Sequence, residues 1–146
     1  MKIGEMKSHY STEEREQRRD ANERLFSYSE ISENAPGILT GIALDEWYRI
    51  IETVKPDMPW SETDFQMLVA YCLAVKTMYD AQDDLNERGL ILEDGKSNPA
   101  IRVQSQAIKD MRSCAQSLAM TLDGRLKIEL NKPTKEVDPF KEVLNQ

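Results

Sequence analysis

The chain has 146 residues, 40% of them apolar and 31% charged, with a formal net charge of −7: one domain's worth of polypeptide, long enough for a core yet small enough that self-association would add to its stability. No stretch is long and apolar enough to span a bilayer and the opening MKIGEMKSHY has no apolar signal core, so neither membrane insertion nor secretion is supported and a cytoplasmic protein is expected. Net acidity also argues against binding nucleic acid by bulk charge.

Ser11-Thr12-Glu13-Glu14 has the form of a capping box, but the run that follows to Arg24 is almost entirely charged, with Ala21, Leu25 and Phe26 as its few apolar residues. A helix there packs on little, so residues 1–34 read as a charged, flexible N-terminal arm, with Ser27 to Asn34 as linker. Ala35-Pro36-Gly37 punctuates the chain. A helix over about 41–54 follows, stopped by Pro56, its inner face made by Ile42, Ala43, Trp47, Ile50, Ile51 and Val54 with Trp47 as a core anchor. Trp60, just before the next helix start, supplies the apolar half of a hydrophobic staple.

The dominant feature is a long antiparallel helical hairpin, with arms at about 62–88 and 99–119. Ser61-Glu62-Thr63-Asp64 opens the first arm as a near capping box, and Gly89 is the residue type favoured just past a helix end. Phe65, Leu68, Cys72, Val75 and Tyr79 form one apolar line. Met67, Tyr71, Ala74, Met78, Ala81 and Leu85 form a second, roughly 110° away at 100° per residue. One packed neighbour cannot cover both, so a second surface is expected, from the rest of the chain or from another copy. Met67, Tyr71, Ala74, Met78 and Leu85 are the candidate oligomer interface. Leu90-Ile91-Leu92 and Glu93-Asp94-Gly95-Lys96 read as a short extended piece and a tight turn. Asn98-Pro99 then starts the return arm, where Ile101, Gln104, Ile108, Met111, Ala115 and Leu118 keep heptad spacing. Cys72 and Cys114 both fall in the hairpin, where buried free thiols are expected. Thr121 to Ile128 reads as a turn leading into a short helix or extension, and 129–146, with Pro133 and Pro139, as a flexible tail. The fold class is therefore all-α, with residues 35–128 as a helical oligomerisation core.

The inventory for catalysis is thin. His9 is the single histidine and lies in the arm, no Gly-rich loop ends in Gly-Lys-Ser/Thr, and no Ser/His/Asp or Cys/His constellation assembles without His9. Asp80, Asp83, Asp84 and Glu87 lie on a polar helix face and read as solvated surface rather than as a Mg²⁺ site. No catalytic residue, metal or cofactor is expected. Binding is better supported, because charge is unevenly spread: residues 27–95 carry four basic and fourteen acidic groups, and residues 96–146 nine and six. Lys96, Arg102, Lys109, Arg112, Arg125 and Lys127 concentrate the positive charge, and Arg102, Lys109 and Arg112 share one flank of the return helix, suited to phosphates.

The order Ile38-Leu39, Trp47, Tyr71-Cys72 in a long helix, Glu87-Arg88-Gly89-Leu90, Asn98-Pro99-Ala100 and Leu118-Ala119-Met120-Thr121 followed by Arg125-Leu126-Lys127 resembles the small terminase subunits of tailed bacteriophages, over roughly Pro36 to Ile128. The family's usual ending has Gly before the apolar-Thr pair, Pro after it and then Ser-Arg; here Ala119, Leu122 and Gly124 stand in for Gly, Pro and Ser. The resemblance implies a ring-forming, non-catalytic subunit that binds double-stranded viral DNA and hands it to the large terminase ATPase-nuclease in the cytoplasm of the infected host. Family members commonly have basic N-terminal arms. This arm is charge-balanced, which moves the preferred DNA surface to Lys96–Lys127. The alternative is an oligomeric helical adaptor that binds only protein through its acidic region.

Overall fold

Three helix starts in this protein are set by side chains that reach a free amide. A computed structural model describes residues 11–132; the segments 1–10 and 133–146, with His9 and most of the expected flexible tail, lie outside them. Over the described residues the chain is all-α: α1 (Thr12–Leu25), α2 (Ile42–Thr53), α3 (Phe65–Arg88), α4 (Ala100–Ser117) and α5 (Leu122–Asn131), with 3₁₀ turns at Lys55–Asp57 and Glu62–Asp64. Ser11 Oγ accepts from the Glu14 amide while Glu14 Oε2 accepts from the Ser11 amide, the expected capping box. Asn98 Oδ1 accepts from the Ala100 amide and Thr121 Oγ1 from the Gly124 amide, at 2.9 and 3.2 Å. The first hairpin arm begins with the 3₁₀ turn, where Asp64 Oδ2 accepts from the Ser61 amide, and becomes α-helical at Phe65.

The core gathers around α2 and the first half of α3. Trp47, Ala43, Ile50, Leu68 and Cys72 are buried there, with Leu39, Met58, Trp60 and Leu118 closing over them. Trp47 is the expected anchor: fully buried, set edge-on to Phe65 at 5.3 Å between ring centroids, its Nε1 donating to the Glu33 carbonyl at 3.0 Å. Trp60 Nε1 donates to the Leu118 carbonyl at 2.9 Å and ties the end of α4 to the start of the hairpin. The segment expected as linker is instead part of the core. Ile31 is buried, its amide donates to the Trp60 carbonyl, and Lys55 holds the carboxylates of Glu30 and Glu33 at 2.9 and 2.7 Å. The Lys55 ammonium keeps the Glu33 carboxyl below its ordinary range, the hydrogen bond being the larger cause. A single isoleucine side chain, worth about 1.5–3 kcal/mol when buried, thus moves the start of the core ahead of residue 35. α1 by contrast buries no residue.

α3 and α4 pair as the expected antiparallel hairpin, but along a different seam. The residues of α4 that are buried are Ala100, Ala107 and Cys114, while Ile101 stays exposed and Gln104, Ile108, Met111 and Ala115 are half-buried. Small residues at the centre let the two backbones approach and leave the larger side chains to flank the contact. Gln104, the polar entry of the expected heptad, donates across the seam to Gln82 Oε1 at 2.7 Å. On α3 the first apolar line packs on α2 and runs out beyond Val75, so Tyr79 is exposed. Ala81, beyond the reach of α2, is buried by the pairing with α4.

The connection is held by one buried amide. Asn98 is 1% exposed; its Nδ2 donates to Asp84 Oδ1 and to the Gly89 carbonyl at 2.8 and 2.9 Å while its Oδ1 caps α4. Arg88 first, then Asn98, lower the Asp84 carboxyl from its ordinary value. Asn98→Ala removes a cap and strands a carbonyl, and is expected to lose about 2 kcal/mol, read as a fall of roughly 6 °C in Tm. A fall under about 1 °C would show that the loop is held elsewhere.

At the other end of α4, Ala119 adopts φ 54°, the left-handed region where the resembled family has Gly. The following helix then comes so close that a Cβ on Gly124 would meet the Ala119 backbone at 2.7 Å. Ala119→Gly should relieve the strain and stabilise the protein by up to about 1 kcal/mol; a lower Tm would show the Ala119 methyl to be a net packing contributor.

Candidate nucleic-acid interface

The seam fixes what α4 shows to solvent. At 100° per residue, Arg102, Lys109 and Arg112 point roughly opposite Ala100, Ala107 and Cys114, so burying the small residues turns the three cations outward. All three are exposed, and none forms an ion pair with another described residue. Arg102 and Lys109 line a groove of about 570 Å³ with Ser97, Ser105 and Gln106, at the N-terminal end of α4. From Arg102 to Arg112 the ridge is about 15 Å long, a length that meets a few successive phosphates of one strand.

The other expected cations are separate from this ridge. Lys96 lies in the hairpin loop and pairs with Asp94 at 2.9 Å. Lys127, on α5, pairs with Asp123 at 2.8 Å, which raises its pKa. Arg125 is exposed on α5, beyond the far end of α4 and about 25 Å of helix from Arg102. The six cations of Lys96–Lys127 therefore form one ridge of three, a paired loop lysine and a second, smaller group on α5.

The five residues expected at a subunit contact fare unevenly. Ala74 is buried within the protomer, Tyr71, Met78 and Leu85 are half-buried, and Met67 alone counts as exposed. Ala81, on the same line, is buried as well, so the protomer covers the two alanines of this line and leaves its larger side chains partly open. Burial, then Glu46, raise the Tyr71 hydroxyl pKa, in keeping with a side chain enclosed between α2 and α3. More exposed apolar side chains lie elsewhere, among them Leu122, Leu126 and Leu130 on α5, Tyr79 on α3, Leu90 and Ile91 in the hairpin loop, and Tyr28, Ile38 and Tyr48 nearer the N-terminus. The leucine spacing of four residues is visible in the sequence. Its orientation is not.

Cys72 and Cys114 are free and buried, and burial pushes the Cys72 thiol up to about 12, leaving it a neutral packing group at physiological pH. Among the described residues no group of three His, Cys, Asp or Glu side chains is placed to hold a metal ion, and no helix is long and apolar enough to cross a membrane.

No curated protein and no solved structure matches the chain. A family model described as phage terminase, small subunit, matches residues 43–135, more than half of the chain, from the second residue of α2 through α5. With the helical hairpin, its capped loop and the all-α core in place, that match makes the chain a member of the phage terminase small-subunit family.

Proposed function

We propose that the protein is the non-catalytic recognition subunit of a phage DNA-packaging machine. It acts as a homo-oligomeric ring in the cytoplasm of the infected host, binds double-stranded viral DNA, and recruits or regulates the large terminase subunit, which carries the ATPase and nuclease. The observation that carries the DNA-binding part is the outward ridge of Arg102, Lys109 and Arg112, opposite the hairpin seam and without acidic partners among the described residues. Cations so placed attract a polyphosphate by releasing its counterions, even on a chain whose net charge is negative. A ring follows from a heterologous contact repeated around an axis, which leaves every copy's ridge in an equivalent position.

DNA retention tests the reading directly. The intact protein is expected to bind duplex DNA at low salt and release it steeply as salt rises. Failure to bind any duplex at low salt, with a protein captured instead, would select the adaptor that uses the acidic surface, where Asp83, Glu87 and Glu93 have no ion-pair partner among the described residues. Light scattering tests the assembly, and a mass of one chain would overturn the ring.

A further inference from the structure

α5 is attached by the wrong face for an ordinary amphipathic helix. Gly124 abuts the Ala119 backbone and Ile128 packs toward the core, whereas Leu122, Leu126 and Leu130 stand roughly on the opposite side and are 77%, 55% and 76% exposed. Three neighbouring leucines left in water forfeit a large part of the helix's possible stabilisation. Arg125 beside them has no ion-pair partner among the described residues.

A matching surface lies on the distal half of α3. Tyr79, Asp83 and Glu87 recur every four residues on the face that α2 is too short to cover. Tyr79 is 48% exposed, Asp83 and Glu87 have no ion-pair partner among the described residues, and the exposed Leu90 and Ile91 follow at the same end of the hairpin. One surface is apolar with a free cation, the other apolar with free carboxylates, and the two occupy different parts of the protomer.

We infer that the α5 leucine ridge of one copy seats against the Tyr79–Asp83–Glu87 face of a second copy of this chain, with Arg125 meeting its carboxylates. This rests on the homo-oligomeric reading above and names a contact apart from the second apolar line of α3, where Tyr71, Met78 and Leu85 are half-buried in the protomer. Because the two faces differ, the contact is heterologous and propagates from copy to copy, as ring closure requires.

The test is the mass of the full chain by light scattering over a range of protein concentrations, with circular dichroism melts as a folding control. Leu126→Lys replaces an exposed side chain and should leave the melt of the protomer near wild type while moving assembly to at least about tenfold higher concentration. Arg125→Glu should weaken assembly, and combining it with Glu87→Lys should restore it in part. Mixing Leu126→Lys with an Asp83→Lys/Glu87→Lys variant should give dimers and nothing larger, because each partner brings one intact face. A multimeric wild type whose mass is unchanged by Leu126→Lys would overturn this contact and leave the ring intact; a monomeric wild type would overturn both. Dimers of the Asp83→Lys/Glu87→Lys variant alone would show the ridge pairing with itself and would also overturn it.

Discussion

Trp47→Ala is expected to lose about 3–5 kcal/mol of stability, the largest single effect in the protein. The indole is fully buried between α2 and α3, so truncation removes its transfer energy and opens a cavity that the hairpin arms, braced along their own seam, cannot collapse to fill. It also deletes the Nε1 donor to the Glu33 carbonyl, one of the ties that hold the segment carrying Ile31 onto the core. Against a typical total of about 5–15 kcal/mol this is roughly a fifth or more of what keeps the chain folded. In urea melts at fixed protein concentration the midpoint should fall by roughly 2 M. Trp47→Phe keeps most of the apolar volume and the edge contact to Phe65 but not the N–H, so it should fall much less, by about 1–2 kcal/mol. If both variants lose equally, the hydrogen bond to the 30–33 segment, rather than ring burial, dominates. If Trp47→Ala loses under about 1 kcal/mol, the core is organised around something else.

The hairpin is legible in the sequence because its punctuation is local. Ser61 and Asp64 cap one arm, Gly89 ends it, and Asn98-Pro99 starts the other, each through backbone groups within a few residues. The seam is less so. Periodicity gives weight to Ile101 and Ile108, yet closeness of two helices is decided by what is small, and Ala100, Ala107 and Cys114 carry little hydrophobic signal. The same weighting points Ala74, Tyr71, Met78 and Leu85 toward another copy; in the protomer Ala74 is buried and the other three are half-buried. α5 is hidden for a related reason: a backbone contact at Gly124 with Ala119, not apolar content, chooses which face turns inward. Ile31 is invisible because one apolar residue in a polar stretch has no period; the hydrogen bonds from Trp47 and to the Trp60 carbonyl, with the Lys55 pairs to Glu30 and Glu33, show that the segment is tied down. Of the candidate cations, Lys127 is separable from sequence alone, since Asp123 stands four residues before it on a helix. The outward direction of Arg102 and Lys109 holds under either choice of seam, so that part of the site is readable without coordinates, whereas Arg112 turns fully outward only with the small-residue seam.

Arg102→Glu/Lys109→Glu is expected to weaken duplex binding by on the order of 100-fold at about 0.1 M salt. The magnitude comes from counterion release: removing one cation–phosphate pairing changes log K by about 0.9 for every tenfold change in salt, so near 0.1 M each pairing is worth close to tenfold, and reversing the charges adds repulsion. The slope of log K against log salt should shallow by about 2 per protomer engaged, with similar losses on unrelated duplex sequences, because cations on a ridge meet backbone rather than base edges. Arg112→Glu, further from the groove but on the same line, should lose about tenfold. Lys96→Glu and Lys127→Glu serve as internal comparisons: each side chain is matched by Asp94 or Asp123 and contributes little net charge, so losses under about threefold are expected. In a ring these effects multiply over the copies that touch DNA at once, so the comparison belongs at protein concentrations where light scattering gives all variants the same mass. Binding that stays tight and salt-sensitive in Arg102→Glu/Lys109→Glu would clear the α4 ridge of the role. A loss confined to Arg125→Glu would instead move the DNA surface to α5, where it would compete with the contact inferred there between copies.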